Sequence, residues 1–224
     1  MSMLQTVAAG LKDLKDRVVF VGGAVAELYA TDPARTEIRA TQDVDCVIEI
    51  TSRARYYALE DQLRKLGFVN DTSADAPICR WIYKGIKVDV MPTSETVLGF
   101  SNIWNNDGIV NKVIRTLPNG EEVSIFTTPY FVASKLEALK NPGGNDLRLS
   151  HDFEDIIFII DNCNSFRNEV SDSEREVKDY LRWNFKLLLE NPNINEAVEC
   201  ALPYGTQIER IEKVKETIKQ ILEL

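Results

Sequence analysis

The sequence predicts an α+β protein, with a mixed β-sheet and flanking helices in its N-terminal part and only helices in its C-terminal part. Short β-branched and aromatic runs alternate with helical segments up to about residue 127. From Thr128 onwards strand patterns disappear, and apolar residues recur at helical spacing instead. We therefore predict two domains, at residues 1–127 and 128–224.

The elements are predicted from periodicity and turn residues, taken along the chain. Lys84-Gly85 and Pro118-Asn119-Gly120 each mark the turn of a β-hairpin. The predicted strands cover 17–21, 43–50, 78–85, 86–93, 108–117 and 121–128. The predicted helices cover 3–15, 24–30, 54–68, 128–140, 152–163, 173–190 and 208–222.

Composition and charge narrow the class of protein. The 224 residues are 44% hydrophobic and 27% charged, which is typical of a globular chain with a proper core. A net charge of −9 argues against a protein that coats nucleic acid through a general basic surface. The N-terminal segment is amphipathic and carries acids, and no apolar run is long enough to span a bilayer. We expect a cytoplasmic protein with no membrane partner.

Cysteine usage argues against a zinc site and against a disulfide framework. The four cysteines are widely scattered, without a CxxC pair, and His151 is the only histidine. We expect free, mostly buried thiols in a reducing compartment. His151 is interpreted as a neighbour of a motif described below and not as a catalytic residue.

Three aspartates form the main candidate site. In the stretch TQDVDCVIEI, Asp43 and Asp45 are two residues apart on a predicted strand, so both point to one face while the apolar residues point to the core. In IKVDVM, Asp89 likewise projects away from its apolar neighbours. If the two strands are neighbours in one sheet, the three carboxylates converge.

Converging carboxylates repel one another unless a cation lies between them. Hard oxygen ligands favour Mg²⁺ or Mn²⁺ over zinc, and two such ions can serve a phosphoryl transfer. We therefore predict a site for two Mg²⁺ or Mn²⁺ ions at Asp43, Asp45 and Asp89. The alternative is structural, with each Asp capping a strand end or pairing with a surface Lys.

A double glycine precedes the acids. Gly22-Gly23 stands between a strand and a predicted helix, where unpaired backbone N–H groups can bind phosphate. On its own, such a pair is more often a tight turn. Arg80 and Trp81 could pair with a phosphate or stack on a base, although an aromatic residue in a hairpin strand more often packs in the core.

These motifs together resemble a known family. GGAVAELYA, RATQDVD and KVDV resemble the polymerase-β-type nucleotidyltransferase superfamily, which combines a Gly-Gly or Gly-Ser pair, an Asp-x-Asp and a third acid on a later strand. SIFTTPYFVASKLEAL and RLSHDFEDIIFII resemble the abortive-infection toxin nucleotidyltransferases of AbiEii type. The resemblance covers about residues 17–160 and depends on the order of the five pieces.

The resemblance implies a role for each matching residue. It implies a nucleotidyltransferase-like fold for residues 1–127, metal binding by the three aspartates, and proton removal from the acceptor by Asp89. Lys135 would contact nucleotide phosphates as a further catalytic residue; the alternative is a solvated helix residue. The implied nucleotide-binding residues are Gly22, Gly23, Arg39, Thr41, Lys135, Asp152 and Asp155; for the last two, a purely structural role at a helix start is the alternative.

Two features depart from the family pattern. Gly23 replaces the usual Ser, so a hydroxyl contact to the triphosphate is missing. In addition, 19 residues separate Gly23 from Asp43, which predicts an extended loop, about residues 31–42, over the site.

The sequence leaves several functions open. The resemblance implies transfer of a nucleoside monophosphate (NMP) from a nucleoside triphosphate (NTP) to RNA such as the 3′ end of tRNA, to a protein or to a small molecule such as an aminoglycoside. It also raises a role as the toxin of a toxin–antitoxin pair, with an antitoxin protein as partner. A sugar-nucleotide glycosyltransferase also uses Asp-x-Asp, but the Gly-Gly pair and the third acid disfavour it. The alternative of another class is an inactive nucleotide-binding or regulatory module.

Overall fold

The computed structural model describes residues 2–32, 39–140, 146–203, 205 and 208–224. Its contacts divide the chain into two compact units. The first unit comprises Met1–Val25 and Ala40–Thr127, and the second comprises Ala26–Arg39 and Thr128–Leu224. The short segment 26–39 therefore clusters with the C-terminal helices.

The first unit is built on a seven-stranded mixed sheet with the order β3-β4-β5-β2-β1-β7-β6. β2 and β5 are parallel, as are β1 and β7, whereas the other neighbouring strands are antiparallel. The strands are β1 (Val18–Val21), β2 (Asp43–Ile48), β3 (Val69–Asn70), β4 (Arg80–Tyr83), β5 (Ile86–Pro92), β6 (Lys112–Thr116) and β7 (Glu122–Phe126).

Four α-helices accompany this sheet: α1 (Ser2–Leu11), α2 (Arg53–Lys65), α3 (Glu95–Leu98) and α4 (Asn105–Val110). On α2, Tyr56, Leu59 and Leu63 form a buried stripe at helical spacing, and the Tyr56 hydroxyl donates to the carbonyl of Val90 on β5. Gly67, at φ +89°, follows the helix in the left-handed conformation that commonly ends helices.

The second unit is helical in the described residues. Its helices are α5 (Thr128–Ala138), α6 (His151–Asn162), α7 (Phe166–Asp172), α8 (Arg175–Glu190), α9 (Ile194–Ala201) and α10 (Ile208–Leu222). α6 is almost entirely buried, and Arg210 on α10 binds its Asp161 through two hydrogen bonds of 2.8 and 2.5 Å. Phe166 and Phe185 pack edge to face in the core of this unit.

The predicted fold class is confirmed, with a mixed sheet and flanking helices followed by a helical part. Both hairpins form where the turn residues predict them, and Lys84 and Gly85 both have positive φ. The first helix is shorter than predicted: α1 ends at Leu11, and Lys12, at φ +49°, begins a 3₁₀ helix to Arg17.

The segment after the double glycine also differs from an α-helix. Gly23–Tyr29 is a 3₁₀ helix of seven residues, which is a longer run than this geometry usually supports. Of the loop predicted at residues 31–42, positions 33–38 lie outside the described residues. No described helix has both the length and the apolar composition to cross a membrane.

Candidate functional site

Asp43 and Asp45 lie at the start of β2 and share one face. Strand alternation puts Val44 and Cys46 in the core with no exposed surface, while the two aspartates are half-buried. The side chains of the two acids therefore emerge together from the sheet, as the sequence predicts.

Asp89 joins them from the neighbouring strand. β5 runs parallel to β2, and Asp45 and Asp89 are direct partners in the register of that pair. One carboxylate oxygen from each of Asp43, Asp45 and Asp89 lies within 4.8 Å of the others. The predicted convergence is confirmed, and we refer to these three residues as the acidic triad.

Arg80 is a member of the site whose role the sequence analysis missed. It lies opposite Asp89 on the antiparallel strand β4. Its Nε and Nη2 donate to Asp89 Oδ1 and Oδ2 at 2.8 and 2.7 Å, and Nη2 is 3.5 Å from Asp43 Oδ2. These hydrogen bonds to Asp89 raise the pKa of Arg80 above its usual value, so the guanidinium stays charged.

The position of Arg80 corrects one step of the sequence argument. Metal is not the sole way to make the acidic triad tolerable, because a guanidinium of the chain itself already neutralises part of it. The hairpin pattern in the sequence could have predicted this contact, because a two-residue turn at Lys84-Gly85 makes positions 80 and 89 cross-strand partners.

Gly22 leaves room for the side chain of Asp45. Val21 on β1 is the register partner of Asp45, and Gly22 follows it at φ +71°. A Cβ atom at position 22 would lie 2.0 Å from Asp45 Oδ2. Both the backbone conformation and the close approach of the carboxylate therefore require glycine here.

Thr41 orients the first acid. Its Oγ1 donates to Asp43 Oδ1 at 3.1 Å. The resemblance implies nucleotide binding by Thr41, whereas the structure gives it a contact to the acidic triad.

The donors of the acidic triad fit a divalent ion of the Mg²⁺ or Mn²⁺ kind. All three are carboxylates, and they lie close enough to share an ion. Asp43, Asp45 and Asp89 are the residues that would hold the metal.

A second charged cluster lies in the second unit. Lys135 Nζ on α5 lies 2.8 Å from Asp152 Oδ1 and 2.7 Å from Asp155 Oδ2 on α6, and Arg39 Nη2 lies 3.3 Å from Asp155 Oδ2. Burial alone would lower the pKa of Lys135, but the charges of Asp155 and Asp152 outweigh it, and the pKa is raised. Lys135 is thus a buried, ion-paired lysine rather than a solvated one.

We assign no role at the acidic triad to Trp81, His151 or the cysteines, which the sequence analysis also singled out. Trp81 has no exposed surface, and the guanidinium of Arg64 lies 5.5 Å from its ring centre, which supports the packing interpretation. His151 is exposed and lies 3.4 Å from Glu154. Cys46, Cys79 and Cys163 are buried free thiols, and Cys200 is an exposed one.

Comparisons with known proteins give a likeness to solved structures. No family model matches the chain, and no curated protein matches it. A crystal structure from H. pylori, described as a "putative nucleotidyltransferase", resembles it with a TM-score of 0.49 and 11% sequence identity, over 98% of this chain and 92% of that one. A likeness at this level says nothing about activity, because similar folds serve unrelated functions.

Proposed function

We propose that this chain is a nucleotidyltransferase that transfers a nucleoside monophosphate from an NTP to a hydroxyl acceptor, with residues 1–127 as the catalytic domain. The observation that supports the proposal is the acidic triad, three carboxylates that meet within 4.8 Å on two parallel strands. Two bound Mg²⁺ or Mn²⁺ ions would neutralise the phosphate charge and polarise the phosphoryl oxygens.

The reaction itself needs little covalent chemistry from the protein. The acceptor oxygen bonds to the α-phosphorus, the bond from that phosphorus to the bridging oxygen breaks, and pyrophosphate leaves. We assign metal binding to all three acids and, to Asp89, acceptance of the acceptor's proton. Thr41 holds the Asp43 carboxylate, and Gly22 leaves room for the Asp45 carboxylate, so both acids are preorganised.

A binding module without turnover is the second candidate. The observation that favours it is Arg80, which donates hydrogen bonds to both oxygens of Asp89. Gly23 in place of Ser is also compatible with a chain that binds nucleotide but does not transfer it. This candidate predicts NTP binding without transfer to any acceptor.

Other assignments from the resemblance stay predictions. They are the nucleotide contacts of Gly22, Gly23, Arg39, Thr41, Lys135, Asp152 and Asp155, the AbiEii-type relationship, the toxin role with its antitoxin, and the choice among RNA, protein and small-molecule acceptors. The pairing of Lys135 with Asp152 and Asp155 supports its assigned charge.

A labelling experiment tests the proposal. The protein is incubated with each α-³²P-labelled NTP, Mg²⁺ and, in separate reactions, total RNA, protein or a small hydroxyl acceptor such as an aminoglycoside, and the labelled products are separated. We expect label on an acceptor with the wild type, and a loss of about 10³-fold with Asp45→Asn, because several kcal/mol of charge stabilisation would disappear.

The labelling experiment, combined with a measurement of NTP binding, separates the nucleotidyltransferase from the binding module. Titration calorimetry with an NTP, with and without Mg²⁺, measures binding independently of transfer. Mg²⁺-dependent binding with no label on RNA, protein or small acceptors would favour the binding module. Equal labelling by the wild type and by Asp45→Asn would contradict the assigned role of the acidic triad.

A further inference from the structure

Arg80 is held tightly at the acidic triad. Its guanidinium makes a two-point contact with Asp89, at 2.8 and 2.7 Å, and reaches Asp43 at 3.5 Å. The side chain of Arg80 is only 18% exposed and that of Asp89 11% exposed, so this is not a solvated surface pair. Two hydrogen bonds with parallel geometry are the strongest contact that an arginine makes with a carboxylate.

This contact competes with metal binding at Asp89. Both oxygens of Asp89 already accept a hydrogen bond from Arg80. A divalent ion on Asp89 would also lie close to the guanidinium, and like charges in a half-buried site repel each other. The triad nevertheless offers further oxygen ligands to a cation, since Asp43 and Asp45 each have a carboxylate oxygen within 4.8 Å of one on Asp89.

We propose that Arg80 is the counter-ion that Asp89 exchanges for metal. Without metal, Arg80 neutralises Asp89 and keeps the acidic triad stable. When a metal–NTP complex binds, the guanidinium leaves Asp89 and pairs with the polyphosphate, for which its planar fork is equally suited. Arg80 is thereby a positioning residue that couples metal binding to nucleotide binding; this inference rests on the proposed function.

The first test measures metal affinity without nucleotide. Mn²⁺ binding is followed by electron paramagnetic resonance for the wild type, Arg80→Gln and the matched control Arg115→Gln. Arg115 lies exposed on β6 and donates to the carbonyl of Ile114, so this control makes the same charge change on another strand. We expect Arg80→Gln to bind Mn²⁺ about tenfold more tightly, because the ion then no longer displaces a hydrogen-bonded guanidinium from Asp89 and no longer lies beside a like charge. The Mn²⁺ affinity of Arg115→Gln should equal that of the wild type.

The second test measures nucleotide affinity with saturating Mn²⁺. A non-hydrolysable NTP analogue should bind about tenfold more weakly to Arg80→Gln, because a charge-assisted contact to phosphate is missing. Arg80→Lys keeps the charge but loses the fork, and we expect both affinities to lie between those of wild type and Arg80→Gln. Circular dichroism establishes whether each variant is folded. If Arg80→Gln does not fold, the Mn²⁺ and nucleotide affinities of Arg80→Lys alone are compared with those of the wild type.

The outcomes separate this inference from the proposed function. If the wild type binds Mn²⁺, Asp45→Asn abolishes that binding, and Arg80→Gln or Arg80→Lys shows no gain, then the exchange is wrong while the metal site stands. If no form binds Mn²⁺, both the exchange and the proposed function are wrong.

Discussion

In the first unit, the carboxylate of Asp45 fills the space that a side chain at position 22 would need. The distance from an ideal Cβ at Gly22 to Asp45 Oδ2 is 2.0 Å, far inside contact distance. The Asp45 carboxylate can therefore occupy its position in the acidic triad only because Gly22, directly after β1, has no Cβ atom.

Gly22→Ala should therefore abolish metal binding. The substitution forces Asp45 away from the other two carboxylates, and it also places alanine at φ +71°, at a cost of about 1–2 kcal/mol. We expect loss of Mn²⁺ binding by paramagnetic resonance, together with a lower free energy of unfolding in urea.

Gly85→Ala separates these two effects. Gly85 has a similar φ of +79°, but nothing lies within 4 Å of a Cβ built there. This variant should lose a similar amount of stability, about 1–2 kcal/mol, and keep the Mn²⁺ affinity of the wild type. Wild-type affinity in Gly22→Ala would show that Asp45 does not need this space.

Asp43→Asn and Asp89→Asn should differ in stability when no metal is present. Asp89→Asn removes the charged partner of Arg80, and we expect a loss of about 1.5–3 kcal/mol, as for hydrogen bonds to charged groups. Asp43 is a third exposed and 3.5 Å from Arg80, so Asp43→Asn should change the free energy of unfolding by less than about 1 kcal/mol.

Mg²⁺ should stabilise the wild type against thermal denaturation but should stabilise Asp43→Asn and Asp89→Asn very little. The wild type gains stability because its folded state binds the metal, whereas each variant has lost a ligand. A Mg²⁺-induced rise in melting temperature as large in the variants as in the wild type would refute metal binding at the acidic triad.

Lys135→Met should destabilise the second unit. It leaves Asp155, which is 1% exposed, without one of its two cationic partners, and breaking such a buried pair costs about 3 kcal/mol. Chemical denaturation provides the measurement. Lys219→Met is the matched control, because Lys219 and Glu216 are an exposed pair at 3.8 Å, and it should cost less than about 1 kcal/mol.

The contribution of Lys135 should not depend on pH in the neutral and mildly alkaline range. Its pKa is raised above 10.5 in the folded state, so the stabilisation is fully present below 10.5 and disappears as the pH rises through the folded value. The difference in unfolding free energy between wild type and Lys135→Met should be equal at pH 7 and pH 9. A difference that shrinks over that interval would contradict a stably charged Lys135.

Native thiol labelling should modify one cysteine. Cys200 is exposed, whereas burial raises the pKa of Cys79 to about 12 and also raises the pKa of Cys46 and of Cys163. At pH 8, we expect iodoacetamide to add one group per native chain by mass spectrometry, and four in denaturant. Cys200→Ser should reduce native labelling to none; rapid modification of Cys79 in the native chain would contradict its burial.

Local patterns in the sequence determine much of the first unit. Alternation along β2 places Asp43 and Asp45 on one face because successive side chains of any strand point in opposite directions. Turn residues determine the hairpin at Lys84-Gly85, and with it the pairing of Arg80 and Asp89, because a tight turn sets the register by itself.

Tertiary structure alone determines the rest of the site. The parallel pairing that joins Asp45 to Asp89 links segments more than 40 residues apart, and no local pattern encodes its register. The short helices α3, α4, α7 and α9 were not predicted, because helices of four to eight residues depend on packing and not on intrinsic propensity. The sequence thus determined which residues carry charge and which face they share, whereas long-range packing decided that the three aspartates meet, because only the pairing of β2 with β5 brings Asp89 beside Asp45.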